Sequence, residues 1–421
     1  ILYIFMAAAT IVNGIITLKE YLLHSKNILP SLIVNNNNNT KFDIVIGNES
    51  GDCDSIVSSI LHAYFLFSTK KTANVVLPIL SMPMEDLKLR GAESFLLKNC
   101  GIDSSNLIFT DQIPWQDVSL NIDKVTLVDH NVLSHSMVFL NPKVYEIIDH
   151  HKDESQYSEI VDPTRRNIEK VGSCSTLIAE NFLRETNLFV NNVDLQHNNN
   201  NTALDSDNSK NIASLLLSTI LLDTMNLSPE AKKATQKDIN IINKFQLLFK
   251  QWDNDACKKW FENLHSVKFN PEFWLSLSTV DKLRLDYKQY VSLETKNTLG
   301  ISAVLIPLGT FINDDKFIYD CFEYISTKKL NVLVIMTMTL LNGVPSRELL
   351  IISKCKDDGV FNKVIKCIEE STLNVDIQLE DEAKACVNNY GGTNGVLLRC
   401  YKQHLVTGSR KIVAPLLKHI L

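Results

Sequence analysis

The 421-residue sequence lacks the patterns that typify disulfide scaffolds, zinc ribbons and nucleic-acid-binding proteins. Its nine cysteines are odd in number and contain no C-x-x-C pair, which argues against a disulfide framework and favours a reducing compartment. The net charge is −6, so the overall electrostatic field does not favour DNA, RNA or an anionic membrane surface. Any anionic ligand would therefore need a local group of cationic side chains.

Two common catalytic motifs are also missing. There is no Gly-Lys-Ser/Thr phosphate loop, and the stretch from Gly47 to Gly51 places Ser50 one position too late for a G-x-S-x-G elbow. A calcium loop beginning at Asp52 is excluded as well, because Val57 and Ala63 occupy the positions of its glycine and terminal glutamate. These absences disfavour a P-loop ATPase, a serine hydrolase and an EF-hand.

Residues 1–40 are predicted to form an N-terminal extension. No charged residue precedes Leu18, but the segment lacks a basic start and a convincing cleavage site, and it is shorter than the roughly 20 apolar residues of a stable membrane span. Met6 is a candidate start. We expect a cytoplasmic protein with an amphipathic helix here, keeping a membrane-anchored or organellar N-terminus as the alternative, followed by a short docking helix over 18–29.

The rest of the chain alternates short apolar runs with helix-like segments. Runs at 42–46, 74–80, 125–128 and 144–148 resemble buried parallel strands, and 56–67 and 175–183 have helical length. This predicts a doubly wound α/β domain over 41–250. A linker is predicted at 251–274 and a smaller α/β domain at 275–421, with strands at 300–306, 332–338 and 348–353 and a helix at 360–370. The asparagine runs at 35–39 and 198–201 are interpreted as disordered loop insertions.

Acidic residues follow several predicted strands. Because ligands bind outside the carboxyl ends of strands in open α/β sheets, these side chains are expected to converge. Carboxylates mixed with imidazole suit Mg²⁺, Mn²⁺ or Co²⁺, and a pair of such cations can promote hydrolysis of a phosphoanhydride or phosphoester. Taken alone, Asp-x-Asp is more often a helix cap and Asp-His-His a surface loop. The residues concerned are Asp52, Asp54, Asp129, Asp149, His150, His151 and, at the end of an apolar helix, Asp223.

These motifs resemble the DHH phosphoesterase superfamily, and within it the eukaryotic exopolyphosphatases and prune proteins. The similarity lies in Gly47-Asn48-Glu49-Ser50, Asp52-x-Asp54-Ser55, Val128-Asp129-His130-Asn131, Asp149-His150-His151, Gly172-Ser173-Cys174-Ser175 and Leu222-Asp223-Thr224. The C-terminal half is similar to a DHHA2 domain in Leu285-Asp286-Tyr287-Lys288, Arg347-Glu348-Leu349 and Ser409-Arg410-Lys411 followed by Pro415. The resemblance implies an active site in the cleft between a DHH and a DHHA2 domain.

The resemblance also implies roles for individual residues. Asp52 and Asp129 would bind one cation, and Asp54, Asp129, His150 and Asp223 the other. His151 would face the substrate and Asp149 would orient its neighbours. Asn48 stands where the related family II pyrophosphatases carry histidine, and losing that nitrogen ligand should favour Mg²⁺ over Mn²⁺ or Co²⁺.

Cationic side chains in the C-terminal half would bind phosphate in such a family member: Lys288, Arg347, Arg410 and Lys411. The alternatives are a solvated pair for Arg410 and Lys411, a solvated lysine for Lys288, and a salt bridge to Glu348 or another carboxylate for Arg347.

The predicted function is therefore an exopolyphosphatase that releases orthophosphate from inorganic polyphosphate with two divalent cations. Three alternatives remain: a short-chain polyphosphatase or pyrophosphatase, a nucleotide phosphodiesterase, and a signalling scaffold that keeps the fold. No nucleic-acid partner and no stable membrane insertion are expected. The sequence leaves the oligomeric state open.

Overall fold

The computed structural model describes residues 16–34, 41–186, 189, 206–292, 294–341, 344–354, 359–379, 381 and 396–421. The chain divides into two compact units, Ile1–Lys268 and Phe269–Leu421. Both asparagine runs and the helix predicted before residue 16 lie outside the described residues.

The first unit is built on a five-stranded parallel sheet in the order β2-β1-β3-β4-β5. Its strands are β1 (Phe42–Ile46), β2 (Val75–Ile79), β3 (Ile122–Val128), β4 (Val144–Asp149) and β5 (Arg166–Ile168). The four strands predicted from apolar runs are all present. The fifth was not predicted, because its three residues are half-buried and include Arg166 and Asn167.

Helices cover both faces of this sheet, which confirms the predicted α/β class. The larger core packs against one face and contains residues from most of the long helices, while the other face is covered by the second half of the first helix and several short turns. The helices are α1 (Leu18–Val34), α2 (Cys53–Ser68), α3 (Gly91–Asn99), α4 (Trp115–Val118), α5 (Cys174–Glu185), α6 (Ser206–Asp223), α7 (Gln236–Leu248) and α8 (Asn254–Lys268).

Two segments outside the predicted 41–250 domain pack within the first unit. Helix α1 extends five residues beyond the predicted docking helix and buries Tyr21, whose hydroxyl donates to the carbonyl of Val76 at 2.8 Å. Helix α8 occupies most of the predicted linker. It buries Cys257 and Leu264 in the larger core, and Trp260 Nε1 donates to Ser218 Oγ at 2.6 Å. Its other residues are largely charged and polar, which is why the sequence suggested a linker.

The second unit contains a six-stranded mixed sheet in the order β10-β11-β9-β8-β7-β6. Only β7 and β8 pair in parallel. The strands are β6 (Tyr287–Val291), β7 (Thr298–Val304), β8 (Val332–Leu341), β9 (Val344–Ser353), β10 (Val375–Ile377) and β11 (Leu397–Gln403). The helices are α9 (Pro271–Ser276), α10 (Thr279–Leu285), α11 (Leu308–Ile312), α12 (Phe317–Lys328), α13 (Gly359–Glu369) and α14 (Arg410–Lys418).

No helix within the described residues is both long and apolar enough to cross a bilayer.

Candidate metal centre

The carboxyl ends of β1, β3 and β4 carry the acidic residues predicted from sequence. Asp52 caps α2, and its Oδ1 accepts from the backbone N–H of Ser55 at 3.1 Å. Asp129 directly follows β3, and Asp149 is the last residue of β4. Parallel strands end at one edge of the sheet, so these side chains gather there.

Asp54 lies in the first turn of α2, but its carboxylate is bound by the start of another helix. The backbone N–H groups of Cys174 and Ser175 donate to its two oxygens at 2.6 and 2.8 Å, and Ser175 Oγ donates at 2.7 Å. Unpaired N–H groups at the N-terminus of α5 thus hold a buried anion. Of the two aspartates in the Asp-x-Asp motif, Asp52 caps the helix that follows it, as the alternative interpretation expected. Asp54 does not cap that helix, because its carboxylate binds the start of α5.

Asp129 has a left-handed backbone, with φ at +60°. Its Oδ2 accepts from Asn48 Nδ2 at 2.7 Å. Its Oδ1 is buried and lies 3.2 Å from His150 Nε2 and 3.7 Å from His151 Nδ1. Burial and the charges of Asp54 and Asp52 raise the pKa of Asp129 well above its usual range.

The two histidines are oriented by neighbouring acceptors. His150 Nδ1 lies 3.0 Å from the carbonyl oxygen of Val171, so a proton on Nδ1 leaves Nε2 facing Asp129. His151 Nδ1 lies 2.8 Å from Asp149 Oδ1. Burial disfavours a charged His150, but contact with Asp129 and the charge of Asp54 outweigh burial and raise the pKa of His150 to about 10.

Asp149 is a fully buried carboxylate that accepts several hydrogen bonds. Oδ1 takes the backbone N–H groups of His150 and His151 at 2.8 and 3.2 Å, and Oδ2 takes Asn131 Nδ2 at 2.6 Å. Although burial opposes its ionisation, the bonds from His151 and Asn131 lower the pKa of Asp149 to about 2. The Asp149 carboxylate therefore fixes the positions of His151 and Asn131.

Asp223 ends α6 close to the other carboxylates. Its Oδ2 is enclosed and has no hydrogen-bond partner among the described residues. Burial and the charges of Asp54 and Asp52 raise the pKa of Asp223 to about 8. Lys268 is a cation that interacts with these carboxylates. Desolvation lowers the pKa of Lys268, but the negative charges of Glu93, Asp223 and Asp52 outweigh desolvation and raise that pKa.

This arrangement brings together groups that can hold a divalent metal ion. Ligand atoms of Asp129, His150 and His151 all lie within 4.8 Å of one another. Oδ2 of Asp223 has no hydrogen-bond partner among the described residues, and a bound cation would satisfy it. Carboxylate oxygens and imidazole nitrogens are both ligands of divalent metal ions.

The predicted phosphate-binding cations lie in the second unit. Arg347 Nε donates to the carbonyl of Val406, while the carboxylate of Glu348 accepts from the N–H of Leu308. Arg347 therefore does not form the alternative salt bridge to Glu348, because adjacent strand residues point to opposite faces. Arg410 donates to the backbone and carboxylate oxygens of Asp286, so it is not a solvated cation. Lys411 is exposed in the first turn of α14, and Lys288 is half-buried on β6.

Family models match both units. Residues 44–220 match the DHH family, N-terminal domain, and residues 274–420 match the DHHA2 domain. The chain belongs to the DHH family. The resemblance seen in the motifs is thus confirmed.

Several curated relatives of this DHH protein are named exopolyphosphatases. Human exopolyphosphatase PRUNE1 is 29% identical over 383 residues, covering 90% of this chain and 75% of the human protein. A putative exopolyphosphatase from Schizosaccharomyces pombe is 36% identical over 252 residues, covering 59% of this chain and 60% of that protein. The rat PRUNE1 match, at 30% identity, covers 78% of this chain and 66% of the rat protein.

The fold of this DHH protein is also found in a solved structure. A putative family II inorganic pyrophosphatase from Methanococcus jannaschii superposes with a TM-score of 0.55 at 20% identity, covering 89% of this chain and 98% of that one. At this identity the likeness concerns the fold alone.

Sequence reasoning did not assign roles to two residues that organise the DHH domain's carboxylates. Asn131 was noted only as part of a motif, yet its Nδ2 binds Asp149. Asp238 was not noted at all, although it is fully buried and accepts hydrogen bonds from the turn that holds Asp54. The available signal was Thr235 three residues before Asp238, a spacing typical of a helix N-terminus.

Proposed function

We propose that this protein is an exopolyphosphatase, which hydrolyses the terminal phosphoanhydride bond of inorganic polyphosphate and releases orthophosphate. The observation that carries the proposal is the cluster at Asp129, whose buried Oδ1 lies 3.2 Å from His150 Nε2 and 3.7 Å from His151 Nδ1, so that three ligand atoms lie within 4.8 Å of one another. The names of the curated relatives support the same activity.

We propose two divalent cations, with Mg²⁺ preferred and Mn²⁺ or Co²⁺ accepted. Asp52 and Asp129 would hold one cation, and Asp54, Asp129, His150 and Asp223 would hold the other. When bound, such cations lower the pKa of a water molecule and offset charge on the phosphate oxygens. The raised pKa values of Asp129 and Asp223 support this assignment, because closely placed buried carboxylates favour either protons or metal ions.

His151 and Asp149 would act together beside the substrate. With Nδ1 directed at Asp149, the Nε2 of His151 lies on the far side of the ring, where a protonated imidazole can donate to a phosphate oxygen. The side chain of His151 is 33% exposed, so a ligand can reach it. Asp149 is itself fully buried, and we assign it the role of orienting His151.

The remaining proposed contacts are polar and cationic. Asn48 would contact the substrate as a neutral group next to Asp129. In the DHHA2 domain, arginine can bind phosphate oxygens through two N–H groups, whereas lysine provides a compact charge. The residues proposed for phosphate binding there are Lys288, Arg347, Arg410 and Lys411.

Phosphate release by the purified full chain with Mg²⁺ tests this function. The substrates are long polyphosphate, tripolyphosphate, pyrophosphate and a cyclic nucleotide, and we expect release from long polyphosphate with little from pyrophosphate. Asp129→Asn is the matched control, because the amide keeps the size of the side chain and an oxygen for Asn48 Nδ2 while removing the carboxylate. We expect its rate to fall by at least about a hundredfold, as when a charge-stabilising group is removed from an active site.

Other outcomes would reassign the protein. Activity confined to tripolyphosphate or pyrophosphate would identify a short-chain polyphosphatase or pyrophosphatase, and activity on the cyclic nucleotide a phosphodiesterase. Full activity of Asp129→Asn would refute the assigned site. Absence of hydrolysis with Mg²⁺, Mn²⁺ and Co²⁺ would favour a protein-binding scaffold.

A further inference from the structure

Asp238 is a fully buried carboxylate outside the proposed ligand set. It is the third residue of α7, and its Oδ2 accepts from the backbone N–H and hydroxyl of Thr235 at 2.6 and 2.7 Å. These two bonds close the N-terminus of its own helix. Two further bonds leave the helix: Oδ2 accepts from the N–H of Gly172 at 2.9 Å, and Oδ1 accepts from Thr176 Oγ1 at 2.5 Å.

Gly172 and Thr176 flank the donors and acceptors that orient two proposed metal ligands. The carbonyl of Val171 lies 3.0 Å from His150 Nδ1 and thereby directs Nε2 toward Asp129. The N–H groups of Cys174 and Ser175 hold the carboxylate of Asp54. Asp238 thus binds both ends of the turn over 171–176 from a helix that starts 60 residues later in the chain.

The packing around Gly172 leaves this turn little freedom to move. A Cβ atom on Gly172 would lie 2.5 Å from Thr224 Cγ2 and 3.0 Å from Asp238 Oδ2. Thr224 directly follows Asp223, so the turn is in close contact with the segment that carries a third proposed ligand. A shift of the Asp238 carboxylate would therefore displace the side chains of Asp54, His150 and Asp223 together.

The contacts of the other proposed cation site do not include Asp238. Asp52 is held by the N–H of Ser55 at the start of α2. Asp129 is held by Asn48 and by its own N–H, which donates to the carbonyl of Ile148 at 3.0 Å. These contacts come from strand ends and from α2, whereas Asp238 reaches the site through the turn over 171–176.

We propose that Asp238 is a positioning residue for one of the two cation sites, the one assigned to Asp54, Asp129, His150 and Asp223. It acts by fixing the turn that orients those ligands, as outer partners of metal ligands do in other sites. This inference rests on the proposed function for the ligand assignment. It predicts that loss of the Asp238 carboxylate weakens one cation site selectively.

Titration calorimetry of the full chain with Mn²⁺ tests the proposal. We expect two binding events in the wild type. In Asp238→Asn, one dissociation constant should rise by about tenfold or more, the usual cost of losing an outer partner, while the other stays within about twofold. Asp43→Asn is the matched control: Asp43 is a buried carboxylate on β1 and accepts from Thr72 Oγ1 at 2.6 Å and Asn74 Nδ2 at 2.8 Å. Asp43 contacts none of the proposed ligands, so both constants should match the wild type.

Equal dissociation constants in Asp238→Asn and wild type would overturn the positioning role while leaving the proposed function intact. An equal rise at both sites would also overturn it, because that result indicates a general loss of structure. A wild type that binds no Mn²⁺ would instead refute the proposed function. If Asp238→Asn does not fold, Thr176→Val removes only the Oδ1 contact, and it should raise the same single dissociation constant.

Discussion

At the scale of single residues, Asp129 has a backbone conformation that most side chains avoid. A non-glycine residue in the left-handed region costs about 1–2 kcal/mol. Here the strained turn after β3 is held by the N–H of Asp129, which donates to Ile148 on the neighbouring strand. The consequence is a buried carboxylate oxygen directed at His150 and His151. Sequence position alone does not reveal such a turn.

Asn48 gives a residue-scale prediction about metal choice. Its Nδ2 donates to Asp129 Oδ2 at 2.7 Å, and its Oδ1 accepts from the N–H of Ser50 at 2.8 Å. Asn48→His would place an imidazole beside the proposed bridging carboxylate, and a nitrogen ligand favours Mn²⁺ over Mg²⁺. We expect the ratio of kcat/KM with Mn²⁺ to that with Mg²⁺ to rise by about tenfold, measured on polyphosphate.

Ser50→Ala is the control for this change, because it removes only the hydroxyl contact to Asn48 Oδ1 and adds no metal ligand. Its Mn²⁺/Mg²⁺ ratio should match the wild type. An unchanged ratio in a folded Asn48→His variant would show that position 48 does not influence the choice of metal.

The predictability of the site also differs from residue to residue. The grouping of Asp52, Asp54, Asp129 and the two histidines could be predicted, because strand ends of a parallel sheet meet at one edge, while their role as metal ligands stays a prediction. The contacts of Asp238 could not be predicted, since its partners Gly172 and Thr176 lie more than 60 residues away and the Thr235 spacing marks only the start of α7. The partner of Arg347 was likewise hidden, because it is a backbone carbonyl 59 residues away.

At the scale of elements, α2 is connected to β4 by a polar pair of a buried histidine and a partly buried glutamate. His62 Nε2 lies 2.8 Å from Glu146 Oε2, which also accepts from Thr126 Oγ1 on β3 at 3.2 Å. Burial opposes ionisation of Glu146, but His62 and Thr126 outweigh it and lower the pKa of Glu146. The pair therefore joins the helix that carries Asp54 to two strands that carry other site residues.

This pair predicts part of the acid sensitivity of the fold. Because the pKa of Glu146 is lower in the folded than in the unfolded chain, its stabilisation is complete above the unfolded pKa of about 4.3 and is lost as pH falls through the folded pKa. Glu146→Gln should lower the free energy of unfolding at pH 7 by about 1–3 kcal/mol. In this variant the free energy of unfolding should also fall less steeply with decreasing pH below about pH 5. Urea unfolding from pH 7 to pH 3 measures both effects.

Glu159→Gln serves as the comparison for this experiment, because Glu159 is exposed. It should leave the free energy of unfolding within about 0.5 kcal/mol of the wild type. If Glu146→Gln showed the same acid profile as the wild type, the pair would contribute no pH dependence.

The element predictions succeeded where periodicity was strong. Strands β1 to β4 are apolar and β-branched, so their positions were predicted within a few residues. Strand β5 gave no such signal, since its pairing with β4 depends on the neighbouring backbone rather than on apolar side chains. Helix α8 was missed because only a narrow stripe of its surface, including Cys257 and Leu264, is buried.

At the scale of the whole molecule, the sequence predicted two α/β units from the alternation of strands and helices. The boundary between the two units was harder to predict. The division falls between Lys268 and Phe269, inside the stretch predicted as a linker, because α8 packs with the core of the first unit. Tertiary packing of one amphipathic helix thus decides which unit contains it.

The concentration of buried acids in the first unit predicts that its stability depends on cations. Burial and the charges of Asp54 and Asp52 raise the pKa values of Asp129 and Asp223, so ionising both without a counter-charge destabilises the folded state at neutral pH. A cation that binds only the folded chain at about 100 times its Kd adds ~2.7 kcal/mol per site. For a unit of this size, that corresponds to a rise in Tm of about 5–10 °C for one site.

Scanning calorimetry of the full chain with Mg²⁺ or with a chelator, at matched ionic strength, measures this effect. The wild type should unfold at a higher temperature with Mg²⁺. Asp129→Asn should lose most of the Mg²⁺-dependent rise and, freed of one buried charge, should unfold no earlier than the wild type in chelator. A rise of equal size in both proteins would place the stabilising cations away from Asp129 and would contradict the assigned centre.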